Sequence, residues 1–311
     1  MTRAFVFPGQ GAQIVGMGRD LAQQNSAARE LFAIADAALG WSISDVCFHG
    51  PEDALTATEN TQPALVATSL AVLAALAGGV DNIVHFSCQH AVAVAGHSLG
   101  EYSALAAAGS LSPTDAISLV RRRGELMAAA RSGGMAAVIG LDDATIDAIC
   151  ARVSTADAAV VVANYNSPGQ TVISGAQSAI DAASVALKEA GAKRVLPLRV
   201  SAAFHSPLMY DAAQALQRHV ELYTINTPQI PVISNVTGRP LLDADTVRAE
   251  LPAQVNSAVR WVSSIEYLHQ SGVDHFVEIG AGTVLAGLIK RIAPDATVTS
   301  IGDVASLAQF A

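Results

Sequence analysis

Gly96-His97-Ser98-Leu99-Gly100 is the stretch of this chain best suited to chemistry. It interrupts an apolar run ending at Ala95 and leads into an Ala-rich helical pattern, so it reads as strand, sharp turn, helix. A serine on such a turn needs glycines two residues to either side, because Cβ groups at 96 and 100 would collide where strand and helix pack closely. Ser98 is then held exposed, and the following helix aims its free N–H groups and positive dipole end at any oxyanion formed beside it. That geometry suits acyl transfer through a serine ester. A bare Gly-x-Ser-x-Gly arises by chance about 0.1 times in a chain this long, so the strand-to-helix context adds most of the weight.

A serine nucleophile needs a base, and the chain has eight histidines. His97 adjoins Ser98, but neighbours on a tight turn point apart, which assigns it to packing. His205 sits in a Pro-terminated loop entering a helix, where function concentrates. An esterase or thioesterase arrangement would instead take Asp243 or Asp245 with His269 or His275, in the order serine, acid, histidine. Spacing alone leaves both open. No histidine pair has the spacing of a zinc helix, so no metal is expected. Arg121, Arg122 and Arg123 share one helical turn and cannot all face one way; a guanidinium turned inward would grip a carboxylate bidentately. Pro8-Gly9-Gln10-Gly11 lacks the residues of a phosphate loop. It follows a first strand, where open α/β sheets place ligand groups, which makes Gln10 a candidate.

These residues need a frame. Strands at Ala4 to Phe7 and Ala91 to Ala95, with helices between and after them, predict a parallel sheet covered on both faces. One helix is expected over Asp20 to Leu39. Another begins near Thr61 or Gln62, with Pro63 in its first turn. Ser112-Pro113-Thr114-Asp115 reads as the start of the helix that carries the arginines. From Gly133-Gly134 the order becomes β-α-β-β-α-β, that of a small ferredoxin-like domain. The expected fold is therefore α/β: a hydrolase-like domain of residues 1–132 and 201–311, with a ferredoxin-like insertion of residues 133–200. His275 to Gly280 reads as the last strand, before a helix through Ile292.

With 311 residues and 51% hydrophobic content the chain can bury a sizeable core. A net charge of −9 without a basic block argues against nucleic acid. Cys47, Cys88 and Cys150 are odd in number and widely spaced in apolar surroundings, which favours reduced, buried thiols and a cytoplasmic location. The N-terminal apolar run is too short for a signal peptide. The uncharged stretch from Thr61 to Val80 reads as a buried helix rather than a membrane span.

In order along the chain, Phe7-Pro8-Gly9-Gln10-Gly11, Thr61-Gln62-Pro63-Ala64, Gly96-His97-Ser98-Leu99-Gly100-Glu101-Tyr102, Arg123-Gly124, Asn166-Ser167-Pro168-Gly169-Gln170, Phe204-His205-Ser206 and Val277-Glu278-Ile279-Gly280 resemble the malonyl-CoA:acyl carrier protein transacylase family, which includes polyketide acyltransferase domains. The resemblance spans nearly the whole chain. It implies that Ser98 is acylated by malonyl-CoA and that His205 is the base, oriented by the main-chain carbonyl of Gln254. It further implies an oxyanion hole from the N–H groups of Gln10 and Leu99, a carboxylate clamp at Arg123, and substrate contacts from Gln62 and Phe204. Phe204 and Leu99 resemble malonyl-selective members. The acceptor would be the phosphopantetheine thiol of acyl carrier protein, with no bound cofactor and a monomeric enzyme. A malonyltransferase subunit of a malonate decarboxylase, or a polyketide partner, fits the same motifs. Lys188, Lys193, Arg194, Arg199, Lys290 and Arg291 are candidates for docking an acidic carrier. The segment from Gly79 to Gln89 matches the family poorly and reads as a loop.

Overall fold

A computed structural model describes residues 1–130, 132–198, 200 and 202–310. Ten strands form two sheets. The larger contains β1 (Arg3–Phe7), β2 (Ala93–Gly96), β7 (Val232–Ile233), β8 (Pro240–Leu241), β9 (His275–Ile279) and β10 (Thr297–Ile301), in the order β10-β9-β1-β2-β7-β8. All its pairings are parallel except the β7–β8 hairpin. Alternating residues of β1 serve different cores: Phe5 and Phe7 join one apolar cluster, and Ala4 and Val6 join the other. That is the signature of a strand covered on both faces.

The smaller sheet contains β3 (Gly134–Ile139), β4 (Val160–Ser167), β5 (Gln170–Gly175) and β6 (Arg194–Pro197), antiparallel in the order β4-β5-β3-β6. The helices Asp143–Val153 and Gln177–Glu189 fall between its strands and join them in a separate apolar cluster. This is the β-α-β-β-α-β order expected of residues 133–200. The two sheets meet where Val259 exchanges backbone hydrogen bonds with Tyr165 and Ala163.

Several elements differ from the sequence pattern. The helix expected over Asp20 to Leu39 is two, Arg19–Gln24 and Ser26–Leu39. Asn25 leaves the helical region, and its side chain accepts from the N–H groups of Ala27 and Ala28 to start the second. The helix expected from Thr61 is Thr58–Ala77, so Pro63 lies inside it. A proline leaves the carbonyl four residues earlier without its donor. Here that carbonyl is Glu59's, and Arg121 Nη1 supplies the hydrogen bond at 3.0 Å. This helix is long and apolar enough to cross a membrane, yet 83% of its most apolar 18-residue window is buried inside the protein. The expected loop from Gly79 to Gln89 is instead a short 3-10 turn and the helix Ile83–His90. Its outer face exposes Cys88, contrary to the expectation of a buried thiol, whereas Cys47 and Cys150 are buried. β9 is not the last strand, because β10 pairs along it at the sheet edge. Arg199 and Ser201 lie outside the described residues, so the expected change of domain near 200 falls partly there.

The turn from Gly96 to Gly100 is built by backbone contact. A Cβ on Gly96 would sit 2.0 Å from the carbonyl carbon and oxygen of Gly100, and one on Gly100 would sit 2.2 Å from Phe7 O. Neither glycine has positive φ, so space rather than conformational freedom demands them. We expect Gly96→Ala to lower stability by about 3 kcal/mol in denaturant unfolding, since the atoms met are backbone and cannot move aside. Gly287→Ala is the control: its Cβ would meet nothing within 4 Å on an exposed helical turn. It should raise stability by about 0.5–1 kcal/mol.

Candidate active site

Ser98 and His205 are the two non-glycine residues with positive φ among the described residues, at 50° and 56°. Such backbone is costly and persists where its surroundings over-determine it. At Ser98 the surroundings are Asn235 and Gln254. The Ser98 N–H donates to Asn235 Oδ1 at 2.8 Å, and its carbonyl accepts from Gln254 Nε2 at 3.0 Å. Asn235 Nδ2 also donates to Gly96 O at 2.7 Å, tying β2 to the β7 end. The strained turn lifts the hydroxyl toward His205, with Ser98 Oγ 2.8 Å from His205 Nε2.

The tautomer of His205 follows from its partners. Nδ1 faces the carbonyl oxygens of Gln254 at 2.8 Å and Ser257 at 3.2 Å. Carbonyls only accept, so Nδ1 carries the hydrogen. Burial, and next the Arg123 guanidinium, push the pKa down to about 3, outweighing the opposing bond to Gln254. The ring is therefore neutral, and Nε2 presents its lone pair to the Ser98 O–H. This is the arrangement of a serine nucleophile and its base, oriented without a carboxylate.

Arg123 is 1% exposed. Its Nη2 reaches Ser98 Oγ at 3.0 Å and Gln254 Oε1 at 2.9 Å, and its Nη1 reaches Gln62 Oε1 at 2.7 Å. Gly124 sets its depth, since a Cβ there would meet Glu59 Cα at 2.9 Å and Thr58 O at 3.0 Å where the two helices touch. The other two arginines turn outward: Arg121 bonds Glu125 and the Glu59 carbonyl, and Arg122 bonds His219 and Glu125.

Ser98, His205 and Arg123 line a cavity of about 260 Å³ between the two sheets. Gln10, His97 and Phe204 line it from the large-sheet side, and Asn164, Asn166 and Gln170 from the small sheet. His97 packs edge-on against Trp261 and bonds Asn166, 2.8 Å from Nε2 to Oδ1, so it braces one sheet against the other. Gln62 does not line the cavity; it is fully buried behind Arg123. The Leu99 side chain is also buried in the core, away from the cavity. It therefore cannot sense an acyl substituent directly. Its N–H can act, however. The Ser98 N–H is consumed by Asn235, while the N–H groups of Leu99 and Gln10 have no hydrogen-bond acceptor among the described residues. Gly9 brings the Gln10 loop onto the turn, where a Cβ would stand 2.5 Å from His97 O.

The alternative acids and histidines are elsewhere. Asp243 caps the helix Ala244–Val255, and His269 pairs with Asp295. His275 lies level with Arg3, at the opposite end of β1 from Phe7, which pairs with Gly96. Four residues of strand amount to about 13 Å. No cluster of three metal-ligating side chains occurs among the described residues. Sequence reasoning did not assign a role to Asn235. Neither its type nor its spacing marks it, since it reaches Ser98 from 137 residues away.

Residues 4–306 match the sequence profile of the acyl transferase domain. The chain belongs to this family. It is 43% identical over 301 residues to the malonyl CoA-acyl carrier protein transacylase of Staphylococcus aureus strain MW2, an overlap covering 96% of this chain and 94% of the relative. The crystal structure of an acyl carrier protein S-malonyltransferase from Vibrio cholerae superposes with a TM-score of 0.93 at 41% identity, covering all of both chains. A malonyl-transacylase in complex with a type II PKS acyl-carrier protein gives a TM-score of 0.92 at 40% identity, over 99% of this chain and 98% of that one.

For this acyl transferase the depressed His205 pKa has two consequences. Acyl transfer, followed by stopped-flow or quenched-flow, should show no break near pH 6.5 and stay flat down to about pH 5. In the unfolded chain the histidine binds a proton below about pH 6.5, whereas the folded chain resists until about pH 3. Falling pH therefore favours the unfolded state. His205→Phe should flatten part of that loss of stability, read from denaturant midpoints between pH 7 and pH 4.

Proposed function

We propose that this acyl transferase carries malonyl from malonyl-CoA to the phosphopantetheine thiol of an acyl carrier protein, for fatty-acid or polyketide synthesis, through an ester on Ser98. One observation carries the choice of acyl group: the Arg123 guanidinium is buried beside Ser98 with amide and hydroxyl partners and no ion pair to a carboxylate among the described residues. A buried cation left without an anion is expensive. The free carboxylate of a malonyl group supplies that anion, at the distance from its thioester carbonyl that a clamp beside the nucleophile requires.

The chemistry then uses groups already aligned. Ser98 Oγ attacks the thioester carbonyl as its proton passes to His205 Nε2, with the imidazolium held by the Gln254 and Ser257 carbonyls. The oxyanion takes the N–H groups of Gln10 and Leu99. The C–S bond breaks, and His205 returns the proton to the departing CoA sulfur. The carrier thiol reverses these steps: His205 removes its proton, the sulfur attacks the ester, and Ser98 leaves with that proton. The protein contributes no bound cofactor to this sequence.

Phe204 is 5% exposed and lines the cavity, where it would crowd a 2-methyl substituent. One methyl group is worth about 1–3 kcal/mol of discrimination, so malonyl is favoured over methylmalonyl by a modest factor. Arg291 bonds Gln170 on the cavity lining, 3.1 Å from Nη1 to Oε1, and with Lys290, Lys193 and Arg194 offers cations for an acidic carrier despite the net negative charge. We further assign residues 1–132 and 201–311 to one domain and 133–200 to an inserted one, in a monomeric, cytoplasmic protein.

Incubation with malonyl-CoA, followed by intact-mass measurement and peptide mapping, should give a malonyl adduct on Ser98 that moves to added acyl carrier protein. His205→Ala should abolish its formation. Arg123→Ala should reduce malonyl transfer at least about tenfold more than acetyl transfer, the scale of one charge-assisted hydrogen bond. Equal losses would count against the clamp.

A further inference from the structure

Behind the nucleophile lies a second layer of polar groups that the acyl-transfer steps do not use. Glu101 follows the turn on the helix Gly100–Ala107 and is fully buried. Its Oε1 accepts from the Asn235 main-chain N–H at 3.2 Å, and its Oε2 accepts from Gln254 Nε2. Glu250, also buried, lies against Glu101 and accepts from the Val236 N–H at 3.0 Å. Burial raises the pKa of both carboxyls, and the neighbouring Glu250 raises that of Glu101 further. One proton held by the pair would leave it a single negative charge, and in the structure the two Glu101 oxygens face Asn235 and Gln254 as acceptors.

That matters because an amide side chain has two faces. Gln254 Nε2 points at two oxygens, Glu101 Oε2 and Ser98 O, while its Oε1 points at Arg123 Nη2. Rotating the amide by 180° would set an NH₂ against the guanidinium and an oxygen against two acceptors. Ser98 O is a weak arbiter of that choice on its own, being one neutral carbonyl; an acceptor-only carboxyl oxygen is a stronger one.

We infer that Glu101 is a positioning residue for acyl selection: it locks the Gln254 amide so that Oε1 holds the Arg123 guanidinium in place to receive a carboxylate. Glu101 touches neither substrate nor the reacting atoms. It works through Gln254 on the Arg123 side, and through Asn235 it supports the peptide that presents Ser98. Glu250 touches neither Gln254 nor Arg123 among the hydrogen bonds described.

The inference rests on the malonyl function proposed above, and its test separates the two. The measurement is kcat/KM for Ser98 acylation by malonyl-CoA and by acetyl-CoA, with thermal unfolding as a check on folding. Glu101→Gln puts an NH₂ where Gln254 needs an acceptor, so the malonyl-to-acetyl ratio should fall at least about tenfold, with acetyl transfer far less affected. Glu250→Gln can donate an N–H to Glu101, and should leave the ratio unchanged. Gln254→Met removes the amide while leaving Glu101 intact, and should reproduce the loss of ratio even if Glu101→Gln does not fold. An unchanged ratio in Glu101→Gln or in Gln254→Met overturns the inference, as does an equal loss with both substrates. A fall in Glu250→Gln matching that in Glu101→Gln also overturns it. Absence of a malonyl adduct in the unsubstituted enzyme would overturn the functional proposal and this inference with it.

Discussion

Backbone touches backbone where β2 turns into the helix Gly100–Ala107, and the rest of the site depends on that contact. Gly96 lies against the Gly100 carbonyl, and Gly100 against the carbonyls of Phe7 and Pro8. Such closeness leaves Ser98 no relaxed conformation, so its φ is 50° and its hydroxyl stands clear of the turn. The same closeness brings the end of β1 alongside, so that Gln10 reaches the cavity beside Ser98. Strain of this kind needs restraint, and the side chains of Asn235 and Gln254 supply it from opposite sides of the Ser98 peptide. Local crowding and long-range hydrogen bonding thus act on one residue, the first setting the conformation and the second holding it.

Gln254 links the working groups. Its main-chain carbonyl fixes the proton on His205 Nδ1, and its side chain joins Ser98, Glu101 and Arg123. Pro252 lies in the same helical segment and leaves the Arg248 carbonyl, in the turn before Gln254, without its helical donor. Packing between the two sheets completes the enclosure, with the His97–Asn166 bond across the gap. A cavity of about 260 Å³ built in this way is small, polar at its floor and apolar along the walls given by Met127, Met135 and Phe204.

What could be read from the sequence was what is local. The glycine spacing around Ser98 announces a packing collision, and the structure contains that collision. Strand alternation and helix caps such as Ser112, which accepts from Asp115 N–H, are likewise local and fell where expected. The β-α-β-β-α-β order was legible because each element carries its own periodicity. His205, Arg123 and the Gln254 carbonyl were assigned through family resemblance, since no residue type or spacing singles them out. Asn235 carries no assignment at all, because a hydrogen bond spanning 137 residues leaves no periodic trace. The helix Ile83–His90 escapes the sequence pattern for another reason, tertiary packing over weak local preference, whereas the break at Asn25 is local, a side-chain cap that the helical periodicity conceals. The Leu99 side chain marks a third limit: the residue resembles malonyl-selective members, yet its side chain faces the core and not the cavity.

Among the described residues His205 Nδ1 faces carbonyls and no carboxylate, which has an electrostatic rationale within the proposed reaction. A carboxylate at the Gln254 carbonyl position would stabilise the imidazolium more strongly. It would also place a permanent anion near a guanidinium whose proposed role is to attract an anionic acyl group, and the two would compete. A carbonyl orients the ring and selects its tautomer while carrying no net charge, so Arg123 keeps its full pull for the incoming carboxylate. Glu101 lies close by, but burial and the neighbouring Glu250 raise its pKa, which lessens the negative charge it sets against Arg123. The pocket thus approaches its substrate with a guanidinium that has no directly paired carboxylate among the described residues, next to a neutral nucleophile and a neutral base. Binding the malonyl carboxylate supplies that pairing at the moment the thioester carbonyl comes within reach of Ser98. The energy of ion pairing is then coupled to placement of the reacting carbon, which acetyl, lacking the carboxylate, cannot exploit.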